Sequence, residues 1–316
     1  MKAVVTGAAG FIGSRLSGSL VESGHEVEGI DFLEALPSHD VRIRRARSLQ
    51  DMPRFALHEA DISSSHLDDL VSGADLVFHL AAIPGVRASW GDSFGQYSRI
   101  NVLGTQRVLE ACAGLSVHPR VVIASSSSLY GDQDIMPVVE DAPPRPRSPY
   151  GISKYAGELL AGAYAMDTGM DIVAARLFTV CGPGQRPDMA GSKLIAAAQG
   201  GPEFVVNDRH WTRDYTHVDD VVEALIALSV ARRLPRLSYN VSGGQRASID
   251  TFATLVAEAV GTAPVMRDGG VGRGDPQHTW ADTSAIRRDV GWTPRRTLRE
   301  AVFEQVANPD GGAQRS

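Results

Sequence analysis

The chain has 316 residues, 43% hydrophobic and 22% charged, with a formal net charge of -6. That composition describes an ordinary soluble globular protein, long enough for one large domain or two sharing a core, and its acidic balance argues against a general nucleic-acid binder. Two cysteines, Cys112 and Cys181, exclude a disulfide framework and a cysteine-based zinc site, and no metal is expected.

The chain enters a strand-like run at residues 2–6 at once, so a signal peptide is not expected and a cytoplasmic location is. No apolar stretch approaches the roughly 20 residues that a membrane span needs. Short runs rich in Val and Ile predict strands over 3–6, 26–31, 55–60, 75–80, 120–125 and 171–176. Helical patterns predict helices over 12–23, 65–70, 97–112 and 150–166. The basic run 42–47 reads as a solvated helix or loop face. Alternation of this kind means right-handed crossovers, and so an α/β fold with a doubly wound parallel, Rossmann-type sheet.

The second half breaks the rhythm, with proline and glycine at 182–187, 200–202 and 269–275. Residues 1–176 with about 217–241 are expected to form the dinucleotide domain. Residues 177–216 with about 242–307 would form a smaller mixed α/β substrate lobe, and 308–316 has the composition of a flexible tail.

The stretch "TGAAGFIG" follows the first strand and opens the first helix, with glycines at 7, 10 and 13. Gly7 permits a tight turn, Gly10 lets backbone approach a pyrophosphate, and Gly13 allows close helix–strand packing. The N–H groups around Phe11 and Ile12 would then face the phosphates at the positive end of the helix. Asp31 ends the second strand, 18 residues after Gly13, where it would accept from the adenosine ribose and repel a 2'-phosphate. NAD is therefore expected rather than NADP.

"YGISK" places Tyr150 and Lys154 four residues apart at a helix start after Pro149, on one face. A neighbouring ammonium favours a phenolate, so such a pair can serve as a general base on an alcohol. "SSSSLYG" (125–131) sets four hydroxyls directly after the fifth strand.

With these motifs in hand, the chain resembles an extended short-chain dehydrogenase/reductase of the nucleotide-sugar epimerase and dehydratase group. The matching segments are "GAAGFIG", "HLAA" (79–82), "NVLGT" (101–105), "SSSSLYG", "YGISK", "RDYTHVDDVV" (213–222) and "ADTS" (281–284). The resemblance implies a catalytic set of Ser126, Tyr150 and Lys154. It also implies NAD contacts at Asp61, Ile62, Leu80, Ala81, Ala82 and Asn101, beside Tyr150 and Lys154 themselves. Sugar dehydratases of this group resemble "T-D-E-V-Y-G" at 126–131, but Ser127 and Ser128 replace their acid and base here, which argues against dehydration.

"FTVCGPGQRPDMA" (178–190) and "AAIPGVRAS" (81–89) resemble stretches of UDP-glucuronate 4-epimerases. That likeness groups Ser127, Ser128, Thr179 and Arg186 around a sugar carboxylate, with Cys181 departing from a usual Tyr. Three hydroxyls and a forked guanidinium suit a planar anion. It also places Arg213, Arg273 and Asp275 at the diphosphate and ribose, and Arg87 at the sugar. His79 and Trp211 are left to packing. The implied enzyme is an NAD-dependent 4-epimerase that converts UDP-glucuronate to UDP-galacturonate through a 4-keto intermediate, as a homodimer. UDP-glucose 4-epimerase, UDP-glucuronate decarboxylase and a non-catalytic dinucleotide sensor stay open as alternatives.

Overall fold

The computed structural model describes residues 1–33, 39–270 and 272–311. Residues 312–316 of the expected tail lie outside these. The Val- and Ile-rich runs become β1 (Lys2–Thr6), β2 (Glu26–Asp31), β3 (Phe55–Glu59), β4 (Leu76–His79), β5 (Arg120–Ser126) and β6 (Ile172–Leu177). Then come β7 (Thr179–Cys181), β8 (Phe204–Val206), β9 (Thr212–His217), β10 (Ser238–Val241), β11 (Gln245–Ser248) and β12 (Met266–Asp268).

Seven strands form one parallel sheet in the order β10-β6-β5-β4-β1-β2-β3. Side chains on each strand alternate between two cores, as a sheet covered on both faces requires. Ala3, Val5, Phe78 and Val122 face the helices Phe11–Glu22 and Val218–Val230. Val4, Val77, Val121 and Ile123 face the helices Thr105–Ala113 and Pro149–Thr168. The strand order reverses between β1 and β4, and the crevice beyond their carboxyl ends is where such sheets bind ligands. The second lobe has a mixed sheet, β11-β9-β7, and a parallel pair, β12-β8, over a core that includes Leu194, Phe252 and Val302.

Two expectations need correction. The helix Ser284–Val290, assigned from sequence to the smaller lobe, packs Ala285 and Ile286 into the core of the main sheet. Tyr239 of β10 also donates to Asp289 at 3.1 Å. The expected helix over 97–112 is instead three pieces: Phe94–Tyr97, a π-helical stretch Ser98–Gly104, and Thr105–Ala113. Single π turns inside helices recur at functional sites, and this one carries Asn101. No helix among the described residues is long and apolar enough to cross a membrane.

Candidate active site

At the carboxyl end of β1 the chain turns through Gly7 at φ +74°, a conformation that L side chains rarely adopt. A Cβ there would stand 2.8 Å from the Ala81 nitrogen, so the glycine brings the turn against Leu80 and Ala81 after β4. Gly10 caps the helix with no side chain, and the first N–H groups, at Phe11, Ile12 and Gly13, point into the crevice without intrahelical partners. An anionic diphosphate fits this cradle.

Asp31 is buried at the end of β2. It accepts from the Ala9 and Phe32 N–H groups at 2.8 Å each, and from Arg42. Arg42 is therefore no solvated face: it lies mostly buried against the carboxylate expected to read the ribose. Past β3, burial would raise the Asp61 carboxyl, but hydrogen bonds from Ser63 and Arg99 outweigh it and hold the group below the ordinary aspartate range. Ile62 is buried under Gly104 of the π stretch.

His79, left to packing from sequence, joins these elements. Its Nδ1 meets the Thr6 hydroxyl at 2.8 Å and its Nε2 the Thr105 hydroxyl at 2.9 Å. Thr105 donates to the Asn101 carbonyl at 2.7 Å, so Nε2 carries the proton and Nδ1 accepts. Burial first, then the Lys154 charge, push this imidazole down to about 3, and it stays neutral. The Asn101 amide binds both polar groups of the Ile83 backbone and donates to Ser153 on the helix Pro149–Thr168 at 3.0 Å.

β5 delivers Ser126, whose Oγ caps the short turn Ser127–Leu129 by accepting from the Ser128 N–H at 3.2 Å. Ser148 caps the helix Pro149–Thr168 in the same way, with Pro149 in its first turn. A Cβ on Gly151 would come 2.5 Å from the Ser128 carbonyl oxygen, so this glycine lets the helix press onto the serine run. Four residues of spacing then set Tyr150 and Lys154 on one face. The Ser126 hydroxyl lies beside the phenol and favours its ionised form.

The expected effect of Lys154 on Tyr150 does not appear. Burial raises the phenol above the ordinary tyrosine range, opposed by Ser126 and by the Arg186 charge. Lys154 is itself pulled down to about 8 by burial, with Glu158 opposing. Desolvation disfavours both ions here, and it outweighs their spacing along the helix.

The structure brings most of the sugar-side candidates into two groups. Arg186 follows β7, close enough for its charge to act on Tyr150 and Tyr97. Ser127, Ser128 and Thr179 are half-buried on the neighbouring turn and strand. Ser127 and Thr179 make no hydrogen bond to Arg186 among the described residues, which pairs instead with Asp188. The second group joins the loops after β4 and before the last helices. Arg87 donates to Asp275 at 2.9 Å, Arg273 stacks 3.8 Å over Trp90, and Arg213 lies 5.9 Å from the Trp211 ring. Burial lowers the Arg213 guanidinium, with Asp275 opposing. Arg42, Trp90, Tyr97 and Asp188 were missed from sequence; the last was signalled only by its place in "RPDMA".

Cys181 is in the core of the second lobe, its thiol pushed up to about 12 by burial, so it is chemically quiet. Of the metal-ligating type, His217, Asp219 and Glu304 cluster, yet both ring nitrogens are engaged. Nδ1 accepts from the Asp219 N–H at 3.1 Å and Nε2 meets Glu304 at 3.1 Å.

Residues 3–242 match the NAD dependent epimerase/dehydratase family. The chain belongs to it. Among solved structures it is similar to UDP-glucuronic acid 4-epimerase from Bacillus cereus, in complex with UDP-glucuronic acid and NAD, at 35% identity. The TM-score is 0.92, with 98% of each chain covered. It is similar at 40% identity to MoeE5 in complex with UDP-glucuronic acid and NAD, with a TM-score of 0.88 over 98% of this chain and 99% of that one. The uncharacterized UDP-glucose epimerase YtcB of Bacillus subtilis is 36% identical over 97% of both chains. NAD is the dinucleotide, and the Bacillus cereus and Bacillus subtilis relatives are named as UDP-sugar epimerases. The glycine cradle, Asp31, Asp61 and Lys154 fit that cofactor.

Proposed function

We propose that this family member is a UDP-glucuronate 4-epimerase acting in the cytoplasm, with the second lobe receiving the nucleotide sugar. The observation that carries the uronate reading is Arg186, a mostly buried guanidinium whose charge acts on the Tyr150 phenol, beside the half-buried hydroxyls of Ser127, Ser128 and Thr179.

Tyr150 as phenolate takes the proton of the 4-hydroxyl, and Ser126 hydrogen-bonds the same oxygen. NAD, held by the glycine cradle with Asp31 and Lys154, would supply the hydride acceptor and donor for carbon 4 of the sugar. Lys154 would hold the nicotinamide ribose. The 4-keto uronate formed on the way is a β-keto acid, which loses carbon dioxide when its carboxylate bond stands roughly perpendicular to the carbonyl plane. Ser127, Ser128, Thr179 and Arg186 hold the carboxylate away from that alignment. Arg213 and Arg273 receive the diphosphate, with Asp275 on the ribose and Arg87 near the sugar.

A second reading, a UDP-glucose 4-epimerase, has one observation in its favour: Arg186 is already neutralised by Asp188, so a neutral sugar would leave no unpaired guanidinium. Incubating the protein with UDP-glucuronate and UDP-glucose separately decides between them. UDP-galacturonate with little carbon dioxide supports the proposal, and turnover of UDP-glucose alone overturns it. The second copy of a homodimer would cover Ile152, Leu159 and Met166, which form an exposed apolar stripe at seven-residue spacing on the helix Pro149–Thr168. Sedimentation analysis tests this.

A further inference from the structure

Arg186 comes to the proposed site already engaged. Its Nε–H and an Nη2–H donate to the two carboxylate oxygens of Asp188 at 2.8 Å each. This is the parallel, two-bond arrangement in which a guanidinium holds a carboxylate best. Nη2 also reaches the Met189 sulfur at 3.6 Å. Only Pro187 separates the two partners, and its ring restricts the backbone between them. The Asp188 carboxyl is held below the ordinary aspartate range chiefly by Arg186, so it is ionised at neutral pH. The pair is lopsided: the Arg186 side chain is 25% exposed and that of Asp188 59%. The guanidinium belongs to the pocket, and the carboxylate borders solvent.

We propose that Asp188 is a specificity-determining residue, an internal carboxylate that competes with the carboxylate of the sugar for Arg186. Its strength in that contest sets the preference for a uronate over a neutral hexose. The inference rests on reading Arg186 as the partner of the sugar carboxylate.

The charges decide the direction. With Asp188 in place the pair is neutral, and an incoming carboxylate has two routes. It displaces Asp188 toward the solvent that the latter already borders, or it takes the Nη1 side of the fork, which has no hydrogen-bond partner among the described residues, with Asp188 still bound. The Asp188 charge opposes the uronate on both routes and leaves a neutral sugar untouched. Turnover gains from this arrangement. Substrate and product of a 4-epimerisation carry the same carboxylate, and a permanently open Arg186 would bind both equally. Such uniform binding lowers KM without raising kcat, and it delays product release. Asp188 supplies the counter-ion that closes the fork as the product leaves.

A purely structural Asp188, one that only orients Arg186, predicts the opposite sign. The test is Asp188→Asn in the full chain with NAD bound, with Asp188→Ser as a second neutral variant and Asp188→Glu as the charge-keeping one. Specificity for UDP-glucuronate and UDP-glucose is measured at low and high salt, with thermal melting to confirm the fold. Both neutral variants should raise the ratio of kcat/KM for UDP-glucuronate over UDP-glucose by about tenfold, through a lower KM for the uronate. That KM should also rise more steeply with salt than in the wild type, because an unpaired charge now attracts the ligand. Asp188→Glu should leave the ratio unmoved. A higher KM for UDP-glucuronate in the neutral variants, or an unchanged ratio, overturns the proposal. If the wild type turns over only UDP-glucose, the functional reading fails by itself. The Asp188 inference is then read from UDP-glucuronate as an inhibitor, whose inhibition constant must fall in the neutral variants for the inference to stand.

Discussion

At the dinucleotide end of the crevice, the ligand-facing groups are main-chain N–H groups on a helix start. They are backed by the buried His79 relay between Thr6, Thr105 and Asn101. At the proposed sugar end they are side chains that already have partners: Arg186 on Asp188, Arg87 on Asp275, Arg273 over Trp90. The first region is held in place by its own hydrogen bonds before any ligand arrives, with the Asp31 carboxylate already set by the Ala9 and Phe32 N–H groups and by Arg42. The second must exchange one set of partners for another, which costs affinity but makes the outcome depend on the charge of the sugar. A generic cofactor and a selective substrate site call for this division.

The largest expected effect falls where the two regions meet. Tyr150→Phe should retain NAD and melting temperature yet lose on the order of a hundredfold to ten-thousandfold in rate, as removal of a general base does. A Phe variant with most of its activity would show that the phenol is not the base.

On the sugar side, Arg186→Ala should depress turnover of UDP-glucuronate about tenfold or more, the rate equivalent of about 1.4 kcal/mol. The residual product should contain a larger share of UDP-pentose, since the carboxylate can rotate. The acid limb of the pH–rate profile should also move to higher pH, because the Arg186 charge favours the Tyr150 phenolate. Arg186→Lys, which keeps the charge, should hold the limb in place. Equal losses on UDP-glucose, with no pentose, would assign Arg186 to the diphosphate.

On the cofactor side, Asp31→Ala should weaken NAD and relax discrimination against NADP. It removes a ribose acceptor and frees Arg42 to meet a 2'-phosphate. Cofactor titrations of this variant and of Asp31→Ala with Arg42→Ala separate the two contributions: the double variant should lose the gain in NADP. A single variant that still rejects NADP would contradict this reading of the second strand.

The smallest effect concerns the stability of the fixed region. His79 titrates near 3 when folded, against about 6.5 in an unfolded chain, so the unfolded state binds the extra proton between those values. Its contribution to stability is complete above about pH 6.5 and is lost as the pH falls toward 3. The melting temperature should drop between pH 7 and 5, and His79→Gln should flatten that drop. An unchanged slope would mean that other groups govern it.

Local spacing alone determined a good deal about this protein. The glycines at 7, 10 and 13, the alternation along β1 to β6, and the i, i+4 placement of Tyr150 and Lys154 follow from chain geometry within a few residues. Those features carry the fold class and the dinucleotide end of the site. Burial was beyond reach of the sequence, and it is burial that raises the Tyr150 phenol and silences the effect expected of Lys154. Partner choice was equally hidden: nothing in the run 42–47 says that Arg42 turns onto Asp31. Nor does spacing bring Arg87 to Asp275 across 188 residues, or lay the helix Ser284–Val290 on the main sheet. Even for Asp188, two residues from Arg186, the sequence does not say that the two side chains pair, with that of Arg186 25% exposed and that of Asp188 59%. Periodicity reports which face a residue takes on its own element; which charges meet, and how dry they are when they do, is settled only when separate elements pack.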